Sequence, residues 1–181
     1  MNECVVPERG QGLSDKIPRL LPDLWWRYPI AELAKLAPIE PLFHPAFDAA
    51  SIDVAIKRED LLCPFLGGNK LYKLHFHLQR ALALRANRLV SFGGAYSNHL
   101  YALARVGAEL GIQTLGVVRG EESPELSPTL QDAKAMGMQL MFVSRSDYRA
   151  KNSASWREQK QLMRAGNYIV PEGGGDVRGA L

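Results

Sequence analysis

Between Asn69 and Pro171 the apolar residues alternate between two spacings, and this alternation restricts the fold more than any other feature. Leu71, Leu74, Leu78 and Leu82 recur every three or four residues, which predicts a helix with one apolar stripe. A short β-prone run follows at 88–92 and stops at Gly93-Gly94. Leu100, Leu103, Val106 and Leu110 mark a second helix, with Gly111 as its stop. The pattern continues as strand 113–118, helix 129–136, strand 138–143, helix 153–165 and strand 167–171, ahead of Gly173-Gly174-Gly175. Strands alternating with helices predict βαβ units. The fold class is α/β, with open parallel sheets flanked by helices and right-handed crossovers.

The preceding segment reads differently. Pro7, Pro18, Pro22, Pro29, Pro38, Pro41 and Pro45 predict extended loops with short helical turns. Trp25, Trp26 and Tyr28 are expected to anchor this segment, and 51–58 (SIDVAIKR) alternates as a strand does. The 181 residues exceed the roughly 150 of one average domain. A hydrophobic content of 46% excludes a disordered chain. Lys and Arg number 22 against 19 Asp and Glu, scattered rather than clustered, so no nucleic-acid partner is expected. Cys4 and Cys63 are too few for a disulfide framework or a zinc site. No apolar run approaches the ~20 residues that span a bilayer, so no membrane partner is expected. The polar start MNECVVPERGQG is unlike a secretory signal, and a reduced, cytoplasmic compartment is the expectation.

Two stretches carry candidate chemistry. In GGNKLYKL, Gly67 to Leu74, two glycines permit a tight turn, Asn69 suits an N-cap, and Lys70 and Lys73 fall in the first helical turn. Cations oppose the helix dipole there, which costs little on a solvated face and nothing if an anion sits at that end. In FGGAYSNHL, Phe92 to Leu100, a strand ends at a glycine pair and Ser97, Asn98 and His99 open the next helix. Such a turn lies beyond the carboxyl end of a strand, where open parallel sheets bind ligands. The same serine and asparagine equally suit a plain helix cap.

Taken together, IKREDLL, GGNKLYKL, FGGAYSNH, RGEE, SPTL, VSRSDYR and VPEGGGDVRGAL run in family order from about Leu42 to the end. In that combination the chain resembles the 1-aminocyclopropane-1-carboxylate deaminases and D-cysteine desulfhydrases, pyridoxal-phosphate enzymes of the tryptophan-synthase-β fold (fold type II). The resemblance implies pyridoxal 5'-phosphate as cofactor, a small amino acid as substrate, and ammonia and a 2-oxo acid as products. Lys70 would carry the cofactor as an imine, and Lys73 would lie near its phosphate. Asn98 would hydrogen-bond its ring hydroxyl. Ser97 would meet the substrate carboxylate and assist proton transfer with Lys70. Dimers are common in the family, so a homodimer is among the partners it implies.

Some positions depart from the pattern. Tyr96 stands where many members have glutamine, Tyr72 where arginine is common, and His99 agrees with desulfhydrase-like members. His75 and His77 are expected to be packing or surface residues, Cys63 a small buried hydrophobe, and Asp176 and Arg178 surface turn residues. By the resemblance, 1–74 begins a large cofactor domain, 75–167 forms a small αβα domain, and 168–181 returns into the large one. Roughly as much chain again is expected to follow in the family, so the domain reads as cut short. The alternative is a non-catalytic truncated piece or binding module that retains the small domain. A dinucleotide-binding module is disfavoured, because no G-x-G-x-x-G follows the first strand.

Overall fold

The computed structural model describes residues 25–63, 66 and 68–176. Cys4, Pro7, Pro18, Pro22 and Arg178 lie outside them. The chain divides between Asn69 and Lys70 into two compact units.

In the first unit two prolines, Pro29 and Pro45, work as helix starters. Pro29 precedes α1 (Ile30–Lys35), and Pro45 opens α2 (Pro45–Ala49) behind His44, whose Nδ1 accepts from the backbone N–H of Ala46 at 3.2 Å. A two-stranded antiparallel ladder joins β1 (Ile39–Pro41) to β2 (Ala55–Lys57), with Ile39 opposite Lys57. The strand expected over 51–58 is thus limited to its last part, because Ser51 takes a left-handed turn (φ 53°) that ends the preceding helix. Trp25 and Trp26 are buried edge to face, 5.8 Å between ring centroids, whereas Tyr28 is exposed. Cys63 is buried, as a small hydrophobe should be.

The second unit is the α/β body. It contains α3 (Lys70–Ala83), β3 (Arg88–Gly93), α4 (Asn98–Leu110), β4 (Gln113–Arg119), α5 (Pro128–Ala135), β5 (Gln139–Val143), α6 (Arg145–Tyr148), α7 (Ala154–Gln159) and β6 (Asn167–Ile169). The four strands form one parallel sheet in the order β5-β4-β3-β6, with Val90 opposite Leu115 on one side and Ile169 on the other. The central strands β3 and β4 are buried along almost their whole length. That is why they read as continuous apolar runs rather than alternating ones. Phe92, Val90, Val117, Val143, Trp156 and Leu162 fill one core cluster. Gly116 lets α4 lie close over β4, since a Cβ there would stand 2.9 Å from Met138 Sδ and 3.4 Å from Leu100.

Three expected limits move. Leu82 is exposed in the last turn of α3 and Ala81 takes its place in the core. The helix expected over 153–165 stops at Gln159, where Gln161 turns left-handed (φ 58°) and swings Leu162 completely into the core. The last strand ends at Ile169. Val170 still donates to the Val90 carbonyl at 2.8 Å, but Pro171 has no N–H to continue. Among the described residues no helix is long and apolar enough to cross a membrane.

Candidate active site

The carboxyl ends of the parallel strands carry the candidate residues, as the ligand rule for open sheets requires. Lys70 is the first residue of α3, and Lys73 lies one turn on. Partial burial, and then the charge of Lys73, hold the Lys70 ammonium below its ordinary pKa. The turn Glu172–Gly174 after β6 packs on this end of α3. It approaches so closely that a Cβ on Gly174 (φ 69°) would stand 2.9 Å from Lys73 Cβ and 3.0 Å from the Lys73 carbonyl oxygen. Glycine is required there twice over, for its conformation and for its size.

Ser97 and Asn98 sit at the start of α4, which packs on both α3 and the Glu172–Gly174 turn. Ser97 is the N-cap: its Oγ accepts from the backbone N–H of Leu100 at 3.2 Å. Gly93 makes room for it, since a Cβ at that position would fall 2.6 Å from Ser97 Cβ and against Ser97 Oγ. The cap uses one lone pair of the hydroxyl and leaves its proton available. Asn98 is exposed and its amide has no partner among the described residues. The intervening turn is pinned from the side, with the Ser127 hydroxyl donating to the Ala95 carbonyl. Tyr96 projects into solvent, 77% exposed.

Behind this rim lies a polar layer that the sequence does not announce. His99 is buried, its Nε2 2.9 Å from Ser91 Oγ, and that hydroxyl donates to the Val170 carbonyl at 2.8 Å. Because a serine has one proton, Ser91 is then the acceptor for His99, which assigns the imidazole proton to Nε2. Nδ1 is left as a buried acceptor with no hydrogen-bond partner among the described residues. Burial first, and then the positive charges of Lys70, His77 and Lys73, push His99 down to about 4. The imidazole is therefore neutral near pH 7. His77 is buried too, with Nδ1 3.1 Å from Tyr168 Oη and Nε2 3.1 Å from Asp176 Oδ1. Asp176 is thus half-buried, with its carboxylate against the His77 ring.

The structure brings Lys70 and Lys73 on α3, and Ser97 and Asn98 on α4, to one end of one unit, within electrostatic reach of His99. Ser91 and the His77–Asp176 pair escape a reading of the sequence. A lone serine in the apolar run RLVSF was the available signal for the first.

Relatives of known name share this arrangement of sequence and fold. No family model matches the chain. A Pyrococcus furiosus protein named as a 1-aminocyclopropane-1-carboxylate deaminase is 29% identical over 94% of this chain and 49% of its own length. A D-cysteine desulfhydrase of Yersinia pestis is 32% identical over 80% of this chain and 45% of its own length. The crystal structure of a homologue of the deaminase superposes with a TM-score of 0.65 at 31% identity, covering 80% of this chain and 44% of that one. The O-acetylserine sulfhydrylase isoform 3 of Entamoeba histolytica shares the fold alone, with a TM-score of 0.56 at 17% identity, over 78% of this chain and 42% of that one. The chain spans somewhat under half the length of these curated relatives. With its parallel sheet of fold type II, the chain is similar over most of its length to the 1-aminocyclopropane-1-carboxylate deaminases and D-cysteine desulfhydrases.

Proposed function

We propose that the chain provides the cofactor-attachment part of a pyridoxal-phosphate-dependent deaminase or lyase, acting on a small amino acid of the 1-aminocyclopropane-1-carboxylate or D-cysteine type. The products are ammonia and a 2-oxo acid. In this reading 1–74 and 168–181 belong to the cofactor domain and 75–167 is the small domain that closes on substrate.

The observation that carries it is the pair Lys70 and Lys73 opening α3, with the Lys70 ammonium depressed by burial and by its neighbour. A lysine that must bond the cofactor's aldehyde carbon has to reach its free-amine form near neutral pH, and both effects favour that form. Lys73 and the free N–H groups of the first helical turn form an electropositive end that suits a phosphate. Asn98, with both amide donors and its carbonyl unused among the described residues, suits a ring hydroxyl. Pyridoxal phosphate, when bound, supplies an electron sink beside the substrate nitrogen.

The remaining work falls to side chains of this chain. Lys70 Nζ would hold the cofactor and, as a free amine, would be the base of this chain that accepts the substrate's proton. Ser97 Oγ, already accepting from Leu100, turns its own O–H towards the substrate carboxylate. It holds that group and relays a proton only in concert with Lys70, because an unaided hydroxyl is a poor base. Neutral His99 behind them adds no further positive charge to oppose a protonated lysine.

The test is a pyridoxal-phosphate titration of the 181-residue chain, followed by its visible absorbance. Borohydride fixation and peptide mapping then locate the label. Saturable labelling at Lys70, lost in Lys70→Ala, is the expected result. Label spread over surface lysines, or unchanged in Lys70→Ala, would remove the assignment. Turnover is then sought as ammonia and 2-oxo acid released from 1-aminocyclopropane-1-carboxylate and from D-cysteine.

A further inference from the structure

Farther along the same edge of the sheet, beyond β4 and β5, is a cavity of about 470 Å³ lined by Arg119, Arg145, Tyr148, Arg149, Lys151 and Glu172. Its cations arrive from separate elements. Arg119 ends β4, Arg145 and Arg149 bracket α6 directly after β5, and Lys151 follows in the next turn. Four cations face one acid, and that acid is already engaged. Tyr148 Oη donates to Glu172 Oε1 at 2.9 Å, and Lys151 Nζ lies 3.2 Å from Glu172 Oε2. Arg119, Arg145 and Arg149 form no ion pair among the described residues.

The floor of the cavity is a packed aromatic ring. Tyr148 is buried, its ring set edge-on to Phe92 at 6.4 Å, with Lys151 Nζ 4.7 Å and the Arg119 guanidinium 5.8 Å from its centroid. Burial, and then the carboxylate of Glu172, push the Tyr148 hydroxyl well above its ordinary pKa, so it stays a donor. Three guanidinium groups without counter-charges repel one another around a shared space, a cost removed when an anion enters. Their planar forks match a tetrahedral oxyanion through paired N–H donors. The volume exceeds what a bare phosphate fills and lies in the range of small-molecule sites.

We propose that this cavity binds a small phosphate ester, its phosphoryl group held by Arg145 and Arg149 and its body lying over Tyr148 towards Arg119. The site shares no residue with the set Lys70, Lys73, Ser97 and Asn98, and its occupancy does not depend on a cofactor at Lys70. It is nonetheless adjacent to the candidate catalytic turn, since Arg119 Nη2 stands 3.7 Å from the place of a Cβ on Gly94.

Calorimetric titration of the 181-residue chain at low salt, with glycerol 3-phosphate and with inorganic pyrophosphate as probes, decides the matter. Saturable one-to-one binding is expected, weakened about tenfold or more in Arg145→Gln and in Arg149→Gln. Arg145→Lys, which keeps the charge but loses the fork, should weaken it as well, while Arg80→Gln on the exposed face of α3 should not. Absence of saturable binding overturns the proposal. So does unchanged affinity in the Arg145→Gln/Arg149→Gln double variant, or equal binding of citrate, which would mark a patch that reads charge alone.

Discussion

His99 is kept neutral by what surrounds it: burial strips water from the ring, and Lys70, His77 and Lys73 add positive charge nearby. Its folded pKa of about 4 lies below the ordinary 6.5. Between those values the unfolded chain takes up a proton that the folded chain refuses. Stability is therefore complete above the unfolded pKa and declines as pH falls towards the folded one, by up to about 3 kcal/mol. Thermal midpoints recorded from neutral pH downwards should fall, and His99→Gln should flatten that slope. Parallel slopes in the two proteins would show that another group is responsible. Helix-start signals located Lys70, Lys73, Ser97 and Asn98 at the ends of α3 and α4, because caps and glycine turns are encoded within a few neighbouring residues. The state of His99 is not encoded that way. It follows from burial and from Lys70, Lys73 and His77 on α3, an element brought against His99 only by folding.

At the level of elements, the start of α4 depends on a fit between Gly93 and Ser97. Gly93→Ala would press a methyl against Ser97 and to within 2.9 Å of Leu100 Cγ, and should destabilise by about 1–3 kcal/mol, as overpacked cores do. Ser97→Ala should cost about 1 kcal/mol from the lost cap, and Ser97→Asp should recover most of it. Urea unfolding measures both, and a neutral Gly93→Ala would show that the turn can give way. The order of helices and strands in the second unit was legible because β3 and β4 are apolar runs bounded by glycines, and because α3 and α4 repeat at helical spacing. The break in α7 was not legible. Its cause is the burial of Leu162, a demand of the core that no local pattern expresses. Of the antiparallel β1–β2 pair, β2 was legible in the alternation of 51–58, whereas β1, three residues long and mostly exposed, has no face to reveal.

For the whole molecule, two compact units imply two levels of protection. The second has a four-stranded sheet with both faces covered, whereas the first rests on a two-stranded ladder and a few buried side chains such as Trp25, Leu33 and Leu62. Amide hydrogen exchange should release 25–63 well before β3 and β4, and equal protection throughout would contradict this ranking. The strand order β5-β4-β3-β6 also sets a sequence of events in time. β3 and β4 are joined by one short crossover and can pair early, but β6 reaches its place beside β3 only after everything from α4 to α7 has been threaded past. Closing so long a loop is the slow step of such a topology. The turn that rests on Lys73, the aspartate that holds His77 and the carbonyl that fixes Ser91 all travel with that last strand. The rim where ligands are expected to gather therefore depends on the docking of β6, so a chain with β3, β4 and β5 paired but β6 undocked would have most of its sheet but not its site.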